Sequence, residues 1–114
     1  MTAEDVIKLT EAVQVCTGNQ SHNEIKYAVA ADLMSDILTV NTDELLLITG
    51  MANLQVIRTA EMSDISTVLF VRGKNITEEM CELAKENGIT LLQSKMSMFN
   101  VCGILYKAGL KPVF

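Results

Sequence analysis

Asp32 and Asp36 stand four residues apart, a spacing that puts both carboxylates on one face of a helix. Such a pair suits a divalent cation or general acid/base work. The same residues also read as a helix N-cap, Asp32, followed by an exposed carboxylate, Asp36. Capping is the favoured reading, because Asp is among the preferred N-cap residues. His22 is the single histidine, and Cys16, Cys81 and Cys102 are the cysteines. A Cys–His nucleophile or a zinc site would have to draw on these four, which show no CxxC or other ligand spacing. His22 lies in the polar string TGNQSHN (residues 17–23), where a solvated loop residue is the better reading. Cys81 and Cys102 fall on the inward faces of predicted helices. Three free core thiols and no zinc are expected.

Phosphate chemistry is no better supported. A phosphate-binding loop needs GxxxxGK[ST], with glycine amides around the phosphates and a hydroxyl after the lysine. The nearest string, VLFVRGKN (residues 68–75), lacks the first glycine and has Asn75 where the hydroxyl belongs. No GxGxxG occurs, since Gly50 stands alone. No constellation supports catalysis, so the chain is expected not to be an enzyme and to need no cofactor or metal.

A binding site has more support. In a parallel sheet, ligands gather beyond the carboxyl ends of the strands. Thr49, Gly50 and Asn53 would follow one strand, Arg72, Gly73 and Lys74 the next, and Ser94 and Lys95 a third. Cations and glycines converging there, beside helix N-termini, suit a phosphate or carboxylate. Polar residues also crowd such loops as a rule, without any ligand. Gly50 is expected to let the chain turn tightly out of its strand. Asn53 is expected to cap the following helix or touch the ligand, and Arg72 and Lys74 to supply charge.

The elements that position these residues are clearest after residue 44. Residues 45–49, 67–71 and 89–92 are short apolar runs, the first two closed by Gly50 and Gly73, as strands buried on both faces require. Between them Leu54, Ile57 and Ala60 form a helical stripe, and residues 77–87 carry a complete set of helix signals. Thr77 is an N-cap, Glu78 and Glu79 suit the positive helix end, Ile76 and Cys81 form a staple, and Gly88 is the stop. A last helix spans residues 97–108 and ends at Gly109. The resulting β-α-β-α-β-α order predicts right-handed crossovers with helices on both sheet faces. The first half is less regular: a helix over residues 3–9, strands over 11–16 and 25–30, and a short helix over 32–38.

At 114 residues the chain reads as one domain, residues 1–114, long enough for its own core. Apolar residues make up 49% against 20% charged, and mean hydropathy is +0.28, which points to apolar surface covered by a second copy or a partner. The seven methionines are mostly core filling, although Met96 and Met98, flanking Ser97, could serve an adaptable contact surface. With net charge −5 and scattered basic residues there is no nucleic-acid stripe. No apolar run approaches the roughly twenty residues of a membrane helix. The start, with Glu4 and Asp5 ahead of any long apolar block, is not a signal peptide, so the expected compartment is the cytoplasm.

In this order of elements the chain resembles the DRTGG domain family, α/β modules related to the N-terminal domain of HPr kinase/phosphorylase. The resemblance rests on Thr17-Gly18, AADLMSDIL (30–38), LLLITG (45–50), VLFVRGK (68–74), ENGITLL (86–92) and SKMSMFNVCGILYKAGL (94–110). The name-giving Asp-Arg-Thr-Gly-Gly loop is replaced by Thr49-Gly50-Met51-Ala52-Asn53. The resemblance implies a three-layer α/β/α sandwich with a largely parallel sheet and a non-catalytic regulatory or ligand-sensing role. That role would work through a homodimer or larger homo-oligomer and a small anionic ligand such as a nucleotide. The alternative is a pure interaction subunit of a larger enzyme or kinase complex, with no small ligand. Kinase activity is not implied, because the kinase region of the relatives is separate and carries its own phosphate loop.

Overall fold

Residues Leu45 to Thr49 leave no face for solvent: all five side chains are buried. A strand of this kind has to be covered by helices on both sides. The computed structural model describes residues 1–18, 24–40, 42 and 44–114. In chain order its elements begin with α1 (Ala3–Thr10), β1 (Val13–Cys16), β2 (Tyr27–Ala30), α2 (Met34–Ile37) and β3 (Leu45–Thr49). They continue with α3 (Leu54–Met62), β4 (Thr67–Phe70), α4 (Glu78–Glu86), β5 (Thr90–Gln93), α5 (Met98–Lys107) and β6 (Lys111–Pro112).

The strands form one sheet in the order β1-β5-β4-β3-β2-β6. All neighbours are parallel except β1, which runs antiparallel to β5. In register, Ile48 lies beside Leu69 and Leu69 beside Leu92. Alternate side chains then divide into two cores. Leu45, Leu47, Val68, Phe70 and Leu91 pack with Val56, Ile57, Ala60, Met80 and Ala84 of α3 and α4. Leu46, Ile48, Leu69 and Leu92 face the other way, onto Val6 of α1 and Val101 and Leu105 of α5. This is a three-layer α/β/α sandwich, and each fully buried leucine contributes about 1.5–3 kcal/mol to it by leaving water.

Local signals account for most helix ends. Thr77 caps α4 by accepting from the Met80 amide at 3.2 Å. Gly88 follows the helix with φ of 69°, a left-handed stop that glycine adopts without cost. Ile76 and Cys81 both pack partly buried against the core beneath α4. Pro112 in β6, a strand the sequence pattern does not announce, suits an edge because it lacks an amide donor.

Two expectations are corrected. Asp32 does not cap a helix: α2 is a single turn whose N-cap is Leu33, with no side-chain bond. Nor are there three free thiols. Cys16, at the end of β1, is joined to Cys81 of α4 as a disulfide with Cα atoms 5.7 Å apart, leaving Cys102 free. Their sequence separation of 65 gives no hint of this. The pairing arises because α4 packs across β1 and β5.

Candidate functional site at the carboxyl edge of the sheet

Because β2 to β5 are parallel, the segments that follow them emerge at one edge, and backbone hydrogen bonds stitch them together. The Val71 amide donates to the Thr49 carbonyl at 3.0 Å and the Ser94 amide to Phe70 at 2.9 Å. The next loop is held by Arg72 N–H to Met96 O at 2.8 Å and Gly73 N–H to Ser94 O at 2.9 Å. The Gln93 amide group donates to the Lys74 carbonyl. These bonds bring Thr49-Gly50, Arg72-Gly73-Lys74 and Ser94-Lys95 together as a rigid backbone shelf.

The side chains on this shelf have unequal roles. Thr49 is fully buried; its hydroxyl donates to Asp32 at 3.2 Å and accepts from the Met51 amide at 3.2 Å. Ser94 is buried too, donating to the Thr10 carbonyl at 2.7 Å and accepting from the Met96 amide. Asn53 is the N-cap of α3, accepting from the Val56 amide at 3.1 Å. Thr49, Ser94 and Asn53 are therefore committed to the fold. Arg72 and Lys95 are exposed and Lys74 is half-buried, and among the described residues none of the three forms an ion pair. A β-carbon added to Gly73 would stand 4.0 Å from Cγ of Lys95, so the Lys95 stem lies alongside the Arg72-Gly73 turn.

Gly50 does not act as expected. It is not among the left-handed glycines, which are Gly73, Gly88 and Gly109. A β-carbon there would meet Asp32 Oδ1 at 3.5 Å, an ordinary contact. The turn is held instead by Asp32, whose carboxylate accepts from the Gly50 amide at 2.8 Å. Sequence reasoning missed this role. The available signal was position: an acid just after a parallel strand already lies at the carboxyl edge.

Asp32 also changes the electrostatics. The Gly50 amide, a donor an anion could have used, is already occupied by a carboxylate. The favourable side of the shelf for negative charge is therefore the Arg72–Lys74–Lys95 side. The unusual backbone lies there as well, since Arg72 has φ of 61° and Gly73 of 62°. A non-glycine residue held left-handed needs surroundings that enforce it, and the bonds to Met96 and Ser94 provide them.

Four cavities of the described surface are not lined by these residues. They lie between α5 and β2/β6, between the ends of α3 and α4, beside Met1 and Gly109, and beside Val40 and Met62. No group of three or more His, Cys, Asp or Glu side chains that could hold a metal occurs among the described residues. No described helix is long and apolar enough to cross a membrane. His22 lies outside the described residues.

The sheet order, the two helical layers and the shelf at the carboxyl edge define a small three-layer α/β module. The family model of the DRTGG domain matches residues 5–108, and the chain belongs to the DRTGG domain family. Among solved structures it is similar to the CBS and DRTGG domains of the regulatory region of Clostridium perfringens pyrophosphatase, complexed with its activator diadenosine tetraphosphate. The TM-score is 0.79 at 16% identity, over 98% of this chain and 48% of that one. This chain thus spans about half of its structural neighbour. No curated protein matches it in sequence.

Proposed function

We propose that the chain is a non-catalytic sensing module. In this reading it binds a small anionic ligand, of the nucleotide class, on the Arg72–Lys74–Lys95 side of the carboxyl-edge shelf and acts through self-association. The observation that carries the reading is the convergence of three cations, unpaired among the described residues, on backbone held in place by bonds between three loops. Membership of the DRTGG family supports a regulatory role. The nucleotide class is suggested by the activator of the neighbour, a dinucleotide with several phosphates.

The test is a thermal-shift screen of mononucleotides and dinucleoside polyphosphates, since a ligand that binds only the native state raises its melting temperature by mass action. Arg72→Ala should weaken an anionic ligand found in this way about tenfold, the order of one charge-assisted contact. Lys8→Ala, at an exposed position of α1, should not. The difference should shrink at high salt. Equal harmlessness of both substitutions while a ligand still binds would move the site elsewhere. A second reading, a pure interaction subunit of a larger enzyme or kinase complex, is favoured by four cavities that lie away from the shelf. It predicts no ligand shift at all.

A further inference from the structure

We infer that the outer face of α5 is the surface through which two copies of this chain associate, with Phe99, Gly103 and Tyr106 at its centre. This rests on the self-association reading above and adds the surface that carries it.

Phe99 is 90% exposed and Tyr106 is 71% exposed, although both are large rings. With Gly103 they fall at i, i+7 and i+4 of one helix, so the three form a single stripe. Cys102 lies beside the stripe, half-buried. Val101 and Leu105, on the opposite side of α5, are buried against the sheet. The intramolecular demands on α5 are therefore met without the stripe.

Gly103 sharpens the case. Glycine is a poor helix former, and here it occupies the middle of a ten-residue helix. A β-carbon added to it would have nothing within 4 Å, and its φ is not left-handed. Neither packing nor backbone conformation within the chain asks for glycine. A second helix crossing closely at that point does, because small residues let two backbones approach.

Charge selects the same face and a second copy as its occupant. The chain carries a formal net charge of −5, so two copies repel unless they meet where carboxylates are absent. No Asp or Glu follows Glu86 in the sequence, so α5 carries none. The acids Glu78, Glu79, Glu82 and Glu86 are on α4, in the opposite helical layer, and in the layer of α5 itself Glu4 and Asp5 are on the neighbouring α1. A two-fold pairing centred on α5 turns the α4 acids away from each other and leaves those of α1 to flank the contact.

Two aromatic side chains at this exposure offer about 300 Å² per subunit, the centre of a contact smaller than the roughly 800 Å² per partner of a standard interface. A shallow apolar groove of about 110 Å³ adjoins the stripe, lined by Ala28, Ile48, Cys102, Leu105, Tyr106 and Pro112. An isologous contact uses one patch twice. With the helices antiparallel and the axis near Cys102 and Gly103, Phe99 of each subunit meets Tyr106 of the other, and the two Cys102 thiols face one another across the axis.

The test uses the full chain in sedimentation and light scattering at micromolar concentration. The wild type should run at twice the 12.5 kDa subunit mass. Phe99→Glu and Gly103→Leu, both at open positions, should weaken dimerisation at least about thirtyfold, as for residues at an interface centre. Their circular dichroism and melting should match a folded monomer. Mild oxidation should cross-link the wild type through Cys102, and Cys102→Ser should abolish the covalent dimer. A wild type that stays monomeric overturns both this surface and the self-association reading. A dimer that survives both substitutions overturns the α5 surface and leaves self-association standing. Monomeric wild type that binds another protein, with that binding lost in Phe99→Glu, gives the stripe to a different occupant and overturns the proposal.

Discussion

The carboxylate of Asp32 ties the end of β2 to the end of β3, accepting from the Gly50 amide at 2.8 Å and the Thr49 hydroxyl at 3.2 Å. It serves a buried hydroxyl and a backbone donor at once, so its removal leaves two groups without a partner. Asp32→Ala should cost about 1–2 kcal/mol in urea unfolding, the order of two hydrogen bonds at a partly exposed corner. Asp32→Asn keeps an acceptor oxygen and should cost about 1 kcal/mol or less. The Asn variant should also bind an anion at the shelf more tightly, since a negative charge has left the edge. Equal losses for Asn and Ala would mean that charge, not hydrogen bonding, holds this corner.

Arg72 combines an exposed cation with a left-handed backbone, φ 61°. The two properties separate by substitution. Arg72→Gly removes the conformational penalty and should stabilise the fold by about 1 kcal/mol or leave it unchanged. Arg72→Ala keeps the penalty and should leave stability unchanged. Both should weaken a phosphate ligand alike if the guanidinium is what binds. A ligand lost in the Ala variant but kept in the Gly variant would show that the turn, not the charge, matters.

The carboxyl-edge shelf was readable because its strands are unusually explicit. Residues 45–49 match β3, and residues 67–71 miss the end of β4 by one residue. Continuous apolar runs closed by glycine admit few alternatives when both faces are buried. Asn53 and Thr77 were readable as caps because capping is local. Asp32 was not. Its partners lie 17 and 18 residues away across a strand pairing, while a cap is the local option for an Asp before a helical run. The Cys16–Cys81 pairing was hidden for the same reason, and β6 is too short to carry any period. The α5 stripe is not legible in the sequence, because an amphipathic pattern reports which residues are apolar and not that two of them face outward.

The disulfide yields a direct count. Protein denatured without reductant should present one titratable thiol, Cys102, and three after reduction. Reduction should lower stability by about 2–4 kcal/mol, because the bridge closes a long loop in the unfolded chain. Three thiols before reduction, in protein purified without reductant, would place Cys16 and Cys81 apart in solution. Burial pushes the Cys102 thiol above its ordinary value. Its alkylation should therefore keep accelerating above the pH at which a free cysteine levels off.

The start of α1 supplies an acid-side test. The Thr2 amide donates to the Asp5 carboxylate at 3.0 Å and the Asp5 amide to the Thr2 hydroxyl at 3.2 Å, a reciprocal cap. The bond from the Thr2 backbone, with its hydroxyl second, holds the Asp5 carboxyl below its ordinary 3.8. A lowered folded value means that the contribution is present above the unfolded value and lost as pH falls through the folded one. Asp5→Asn should therefore flatten part of the stability profile below about pH 4 and leave its shape near neutrality unchanged. A flattening confined to neutral pH would contradict the cap.

Gly18 gives a severe prediction and accounts for part of the family string Thr17-Gly18. Its amide donates to the buried Thr90 hydroxyl at 3.0 Å, joining the end of β1 to the start of β5 across 72 residues. A β-carbon at Gly18 would fall 2.3 Å from the Gly88 carbonyl oxygen and 2.6 Å from the Ile89 carbonyl carbon. Those are backbone atoms at the left-handed stop of α4, so no side chain can swing aside. Gly18→Ala must push the two segments apart and lose the bond to Thr90. It should cost about 3 kcal/mol or more, the upper range for single substitutions. Gly103→Ala is the control: it adds the same methyl in open space within a helix and should stabilise the monomer by about 1 kcal/mol. Thr90→Val should fall between them, at about 1–2 kcal/mol, because it removes the acceptor without adding a clash. If Gly18→Ala unfolded at the wild-type urea midpoint, the close approach of β1 to the α4–β5 turn would be wrong, and with it the route that brings Cys16 to Cys81.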